Sequence, residues 1–211
     1  MTVYEHAMIG INGALALGLS RCQGWPIVAL AGVAAILPDL DGLTILLGPH
    51  LYAEGHRLWG HNLLVVGIVA TFFSAIVYQT DAMRKVQRWL ARRLEMFAGA
   101  QPAEVPRNRA SLMFWIVVGV FAAYSHLFMD VLFSGGKNLP IWGVPLLWPF
   151  SNAVWAYPLV PWGDVGTTVI FAVSMFAMLR WPARIRSIAT GSLVLVAAYL
   201  MLRSAFWQWN G

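Results

Sequence analysis

The sequence has little charge and almost no cysteine. Only 11% of its 211 residues are Asp, Glu, Lys or Arg, less than half the share of about 25% that is usual for a chain folded in water. With 59% hydrophobic residues and a mean hydropathy of +0.66, soluble-enzyme and disordered classes are excluded at the first step. The single cysteine, Cys22, rules out an intramolecular disulfide and every paired-thiol metal or redox motif. The N-terminus lacks the basic region, apolar core and small-residue cleavage site of a removable signal, so the first apolar run is expected to be retained.

What the chain has in abundance is apolar runs, at 9–19, 27–37, 62–78, 110–133, 165–179 and 187–202. They are too many and too long for one small core, and they point to an all-α, polytopic transmembrane bundle forming a single integral membrane domain over 1–211. The basic residues choose sides. Seven of the fourteen Lys and Arg fall between Arg84 and Arg109, which the positive-inside bias reads as a cytoplasmic loop over 84–109 rather than a nucleic-acid surface. Within it Trp89 and Leu90 lie among arginines, where a loop and an amphipathic interfacial helix are equally good readings. Placing Arg21, this loop and Arg180–Arg186 inside gives six crossings with both termini outside. The first, second, fifth and sixth runs are short of the roughly 20 residues a crossing needs, so one pair is allowed to be a re-entrant hairpin. The second helix is expected to run toward Leu47, interrupted by Pro38-Asp39-Leu40-Asp41-Gly42, and 134–163 reads as an outer segment rich in Gly, Pro and Trp.

That topology makes a prediction it was not built on. It gathers His6, Asp39, Asp41, His56, His61, His126 and Asp130 at one membrane face, which is the inventory of a metal site. His126 and Asp130 are four apart on a continuous helix, so both point to one side and can share an ion. Asp39 and Asp41 sit in a Pro-initiated break, where an unwound backbone lets two carboxylates converge. His56 and His61 suit a turn or helix start. Imidazole nitrogen with carboxylate oxygen fits zinc, and also manganese or iron, better than calcium. A carboxylate beside lipid is costly unless paired or coordinated, which makes function the default reading of Asp130. The plainer readings are a His126–Asp130 hydrogen bond, a capping role for Asp41, an interface role for His6, pairing of Arg57 with Glu54 or lipid headgroups, and a surface-loop His50. The eleven tryptophans read mostly as an interfacial belt.

On these residues the sequence resembles the bacterial and archaeal inner-membrane proteins described as membrane-bound metal-dependent hydrolases, of the YdjM type. The pieces are His6, Leu-Pro-Asp-Leu-Asp at 37–41, Gly-His-Arg-Leu-Trp-Gly-His at 55–61, Ser-His-Leu-Phe-Met-Asp at 125–130 and Gly-Val-Pro-Leu-Leu-Trp-Pro at 143–149. They cover about the first 150 residues in order. The aspartate motif is followed here by Gly42 where His is common in the family, and the second motif closes as Gly60-His61-Asn62 where Thr-His-Ser is common. The resemblance implies a hydrolase in the inner, cytoplasmic membrane, and the order of the ligands is similar to that of zinc-dependent phospholipase C proteins.

The expected mechanism has one or two divalent ions activating water, Arg57 balancing charge on a phosphoester and Asp39 as the carboxylate able to take a proton. A site at the lipid edge beside 134–163 favours a lipid or lipid-linked substrate reached from the outer leaflet. Two other classes compete: a noncatalytic structural or interaction protein with a His/Asp cluster, and a metal or proton transporter. The transporter would line both leaflets with polar groups, whereas here they collect at one face.

Overall fold

A computed structural model describes residues 1–55, 58–93, 107–135, 141–161 and 163–209. The fold is all-α. Helix α1 (Val3–Ala16) starts at a capping box: the Thr2 hydroxyl accepts the Glu5 backbone N–H, and the Glu5 carboxylate accepts the Thr2 backbone N–H at 2.8 Å, so two orphan donors of the first turn are satisfied. Gly18, with φ 75°, turns the chain into the short α2 (Leu19–Cys22), and Gly24, also at φ 75°, turns it into α3 (Trp25–Ala34) with Pro26 in the first turn. A 3₁₀ segment, Pro38–Leu47, follows at a bend of 54°. Next come α4 (Pro49–Gly55), α5 (Leu63–Thr80), α6 (Ala82–Arg93), α7 (Arg109–Leu132), α8 (Gly166–Arg180) and α9 (Ile185–Trp209), with a 3₁₀ turn at Pro182–Arg184 before α9.

Among the described residues, three helical stretches are long and apolar enough to cross a membrane: Leu63–Thr80, Arg109–Leu132 and Pro182–Ala205. Counting the bent pair Trp25–Ala34 and Pro38–Leu47 as one span makes four. This supports three, or four with the bent pair, of the six expected crossings. The physical reason is length: α1 has 14 residues and α8 has 15, or about 21 to 23 Å at the helical rise, against a hydrocarbon core of about 30 Å. Instead α1 lies inside the bundle, packed against α3, α7, α8 and α9. The orientation argument counted crossings, so it loses that support. The interruption after α3 is where the Pro38 motif was expected to put it, and the Trp89 region is helical rather than a loop.

Close packing in the centre depends on small residues, as is usual between membrane helices. A Cβ at Gly10 would strike the Ala31 carbonyl, and Ala31, Ala34 and Ala35 are all buried. Polar side chains tie α1 to its neighbours. The Asn12 carbonyl oxygen accepts from Ser192 at 2.8 Å, and the buried Glu5 carboxylate accepts from Thr167 and Thr168. The outer faces carry exposed apolar residues such as Phe72, Ile76, Phe121, Phe176 and Leu195, as lipid-facing surfaces do.

The antiparallel pair α5 and α7 positions the site. At one end Tyr78 and Asn108 join the two helices, the Asn108 backbone N–H donating to the Tyr78 hydroxyl at 3.1 Å. At the other end the segment 141–161 folds back over the helix termini. Val144 and Trp155 form an isolated antiparallel bridge, Tyr157 N–H donates to the Val131 carbonyl at 2.9 Å, and Leu63 N–H donates to the Leu146 carbonyl at 3.0 Å.

Candidate metal centre

Four elements deliver the histidines and aspartates to that covered end. His6 comes from the first turns of α1, Asp39 and Asp41 from the 3₁₀ segment, His61 from the turn before α5, and His126 with Asp130 from the last turns of α7. Asn62 sets the His61 turn. Its side-chain oxygen caps α5 by accepting the Val65 N–H at 2.8 Å, while its amide donates to the Leu58 and Trp59 carbonyls. Asn and Ser are both strong N-caps, so Asn at this position keeps the capping chemistry of the Ser common in the family.

The cluster is buried. His61 and His126 have no exposed surface, and His6 and Asp130 are 1% and 2% exposed. His61 Nε2 and His126 Nε2 lie 3.2 Å apart. Asp39 Oδ1 is 3.7 Å from the first and 3.5 Å from the second, and Asp130 Oδ2 is 3.4 Å and 3.6 Å from them. Four donor atoms around one tetrahedral ion with bonds of about 2.0 to 2.1 Å stand about 3.3 Å from one another. The five separations therefore have the size of the edges of a metal-ligand tetrahedron.

The far nitrogens fix the rings. His126 Nδ1 is 2.8 Å from the Ala35 carbonyl oxygen, an acceptor only, so Nδ1 carries the proton and Nε2 keeps its lone pair toward the cluster. His61 Nδ1 is 2.9 Å from Asp41 Oδ2, which likewise makes Nδ1 the donor. Two imidazoles with their lone pairs aimed at one point repel unless a cation lies between them. Burial opposes charge on His61, but the Asp130 and Asp41 carboxylates push its pKa up to about 8, so positive charge is favoured at this ring. Outer partners of this kind recur behind metal-bound imidazoles.

His6 stacks on His126 with ring centroids 3.5 Å apart and puts its Nε2 3.2 Å from Asp130 Oδ1, while its buried Nδ1 has no hydrogen-bond partner. Buried polar atoms without partners are rare enough to need a reason, and ligation supplies one. His6, His126 and Asp130 form one triad able to hold an ion, and Asp39, His61 and His126 another. The Met1 amine also lies 3.1 Å from Asp130 Oδ1.

Of the candidates read from the sequence, His6, Asp39, His61, His126 and Asp130 thus converge. Asp41 stands behind His61, on the far side of the ring from the other donors. His50 is exposed in the first turn of α4 rather than in a loop. His56 and Arg57 lie outside the described residues. The Ala35 carbonyl was missed, and no side-chain pattern signals it, because a backbone acceptor leaves no mark in the sequence.

These features define a class: a multi-pass helical membrane protein with a His/Asp cluster able to chelate a divalent cation. Within that class the chain belongs to the YdjM family of inner-membrane proteins, whose model, described as YdjM inner membrane protein, matches residues 1–210. Comparisons with curated proteins and with solved structures give no match.

Proposed function

We propose that the protein is a membrane-bound metal-dependent hydrolase acting on a phosphoester of a lipid or lipid-linked substrate, with zinc as the preferred ion. The observation that carries this reading is two imidazole nitrogens and two carboxylate oxygens with separations of 3.2 to 3.7 Å between each nitrogen and the other three atoms, in a pocket whose most exposed member is Asp39 at 20%. His61, His126 and Asp130 would hold the ion, with Asp39 or His6 as a further donor, and a position left open to water is what hydrolysis would need. When bound, a divalent ion lowers the pKa of water and polarises a phosphoryl oxygen. Asp41 and the Ala35 carbonyl keep the two imidazoles in the tautomer that offers Nε2. With its Oδ1 toward the imidazoles, Asp39 would use its second carboxylate oxygen to accept a proton from an entering water, and Arg57 would balance charge on the phosphoester. A lipid substrate is supported by the position of the cluster at one end of α5 and α7, under the Trp-rich segment 141–161.

The extreme burial of His6, His61, His126 and Asp130 favours a second reading, a structural metal cluster without turnover. One experiment separates the two. Detergent-purified protein and its Asp130→Asn and His126→Ala variants are assayed for metal by elemental mass spectrometry and for release of phosphate or headgroup from phospholipid and polyprenyl phosphate. One or two equivalents of metal with turnover, both lost in the variants, support the hydrolase. Metal without turnover supports the structural cluster, and folded protein without metal overturns both.

A further inference from the structure

Far from the metal cluster, a second chemical feature stands at the opposite end of α5 and α7. Arg109 and Asp130 are 21 residues apart on one helix, so the two ends are separated by about 32 Å, the thickness of a bilayer core. Here a hollow of about 510 Å³ is lined by Tyr78, Gln79, Arg107, Asn108, Arg109 and Leu112. Arg107 is engaged by Asp81. Arg109 is exposed and, among the described residues, has no acidic partner.

Helix α6 begins beside this hollow. The spanning helix α5 ends at Thr80, and Asp81, in the left-handed region at φ 55°, turns the chain sharply into α6, so α6 starts where a crossing helix leaves the hydrocarbon. At 100° per residue its Met83, Val86 and Trp89 share one face, while Arg84, Lys85 and Arg88 share another. Met83 packs against the core beside α3, whereas Val86 and Trp89 are 51% and 59% exposed. Lys85 and Arg88 are exposed and, like Arg109, lack an acidic partner among the described residues. Exposed apolar residues beside exposed cations, at the end of a span, are the pattern of a helix lying in the headgroup layer. An anionic headgroup matches the charge, and a hydrocarbon boundary covers Val86 and Trp89. A nucleic acid or acidic protein would satisfy the cations and leave the apolar face in water.

We propose that Lys85 and Arg88 of α6, with Arg109 in the lining of the hollow, bind the phosphate headgroup of an anionic phospholipid in the leaflet that this end faces. The site is independent of the metal centre and of any hydrolytic reaction. Bound lipid screens these exposed cations and holds α6 flat against the bilayer, bracing the α5–α7 pair at the end remote from the cluster.

The test is native mass spectrometry of the full-length protein released from detergent and titrated with diacyl phosphatidylglycerol or diacyl phosphatidylcholine. The anionic lipid should bind more tightly, and the triple variant Lys85→Gln, Arg88→Gln, Arg109→Gln should lose that preference. Basic residues near a lipid surface each contribute a factor of about five, so the loss is on the order of a hundredfold. A charge-preserving Arg109→Lys variant should keep most of the preference, and unchanged metal content and helicity in the triple variant would exclude misfolding. Equal affinity for the two lipids, a preference that survives in the triple variant, or full displacement of the lipid by millimolar inorganic phosphate would overturn the proposal.

Discussion

Gly60 packs directly beneath Asp41: a Cβ at Gly60 would stand 2.7 Å from Asp41 Oδ2 and would collide with the Pro38 carbonyl. The glycine lets the turn before α5 and the 3₁₀ segment approach closely enough for Asp41 to reach the His61 ring. Gly60→Ala is therefore expected to push the two segments apart, break the 2.9 Å contact between His61 Nδ1 and Asp41, and weaken metal binding about tenfold. Competition with a fluorescent chelator measures this directly. Unchanged affinity in the alanine variant would mean that the two segments move without consequence for the cluster.

Asp41 and Asp39 should behave differently despite their proximity in sequence. Asp39 faces Nε2 of His61 and Asp41 holds Nδ1. Asp41→Asn keeps an acceptor but loses the charge that favours the Nε2-offering tautomer, so metal affinity should fall by about 10- to 100-fold, the range typical of partners behind a ligand. Asp39→Asn removes a proposed ligand and should abolish stoichiometric binding. Titration calorimetry on both variants distinguishes the roles, and equal losses would place both carboxylates on the ion.

The contrast between the two aspartates also marks what was readable from sequence. The i, i+4 spacing of His126 and Asp130 on a continuous helix was enough to put them on one side. Pro38 signalled a break, but not its geometry. In a 3₁₀ segment each residue advances about 120°, so positions two apart diverge, and Asp39 and Asp41 clasp one imidazole from two sides rather than converging on a common point. The number of crossings was not legible because a short apolar run looks the same whether lipid or other helices surround it. For α1 the surroundings are α3, α7, α8 and α9, and only the packing reveals that.

Asp164 gives a pH dependence outside the spans. Burial raises its pKa, but hydrogen bonds from the Tyr199 hydroxyl at 2.5 Å, the Gly166 N–H at 2.9 Å and Arg203 at 3.3 Å outweigh burial and hold it below the usual carboxylate range. A lowered folded-state pKa contributes stability that is fully present above the unfolded value of about 3.9 and is lost as pH falls through the folded value. Thermal unfolding in detergent should show this acid loss in the native protein. Asp164→Asn should lower the melting temperature at neutral pH and flatten its dependence on pH below about 4; an unchanged acid slope would assign the loss to other groups.

Gly10 and Gly13 lie one turn apart on α1 and predict opposite outcomes. A methyl at Gly10 meets the Ala31 carbonyl and lies 3.0 Å from the Ala35 Cβ, and both partners are fixed, one being backbone and the other a side chain with no rotamer to change. Gly10→Ala must therefore separate α1 from α3, at a cost of about 1 to 3 kcal/mol. It should also disturb His126, whose Nδ1 partner is the Ala35 carbonyl. At Gly13 a methyl meets nothing within 4 Å, so only the helix propensity remains, and Gly13→Ala should stabilise α1 by about 0.5 to 1 kcal/mol. Melting temperatures and metal content of the two variants provide the check. Loss of metal in Gly10→Ala alone would tie the α1–α3 contact to the geometry of the centre, whereas equal behaviour of the two variants would show that the bundle accommodates the added methyl without moving Ala35.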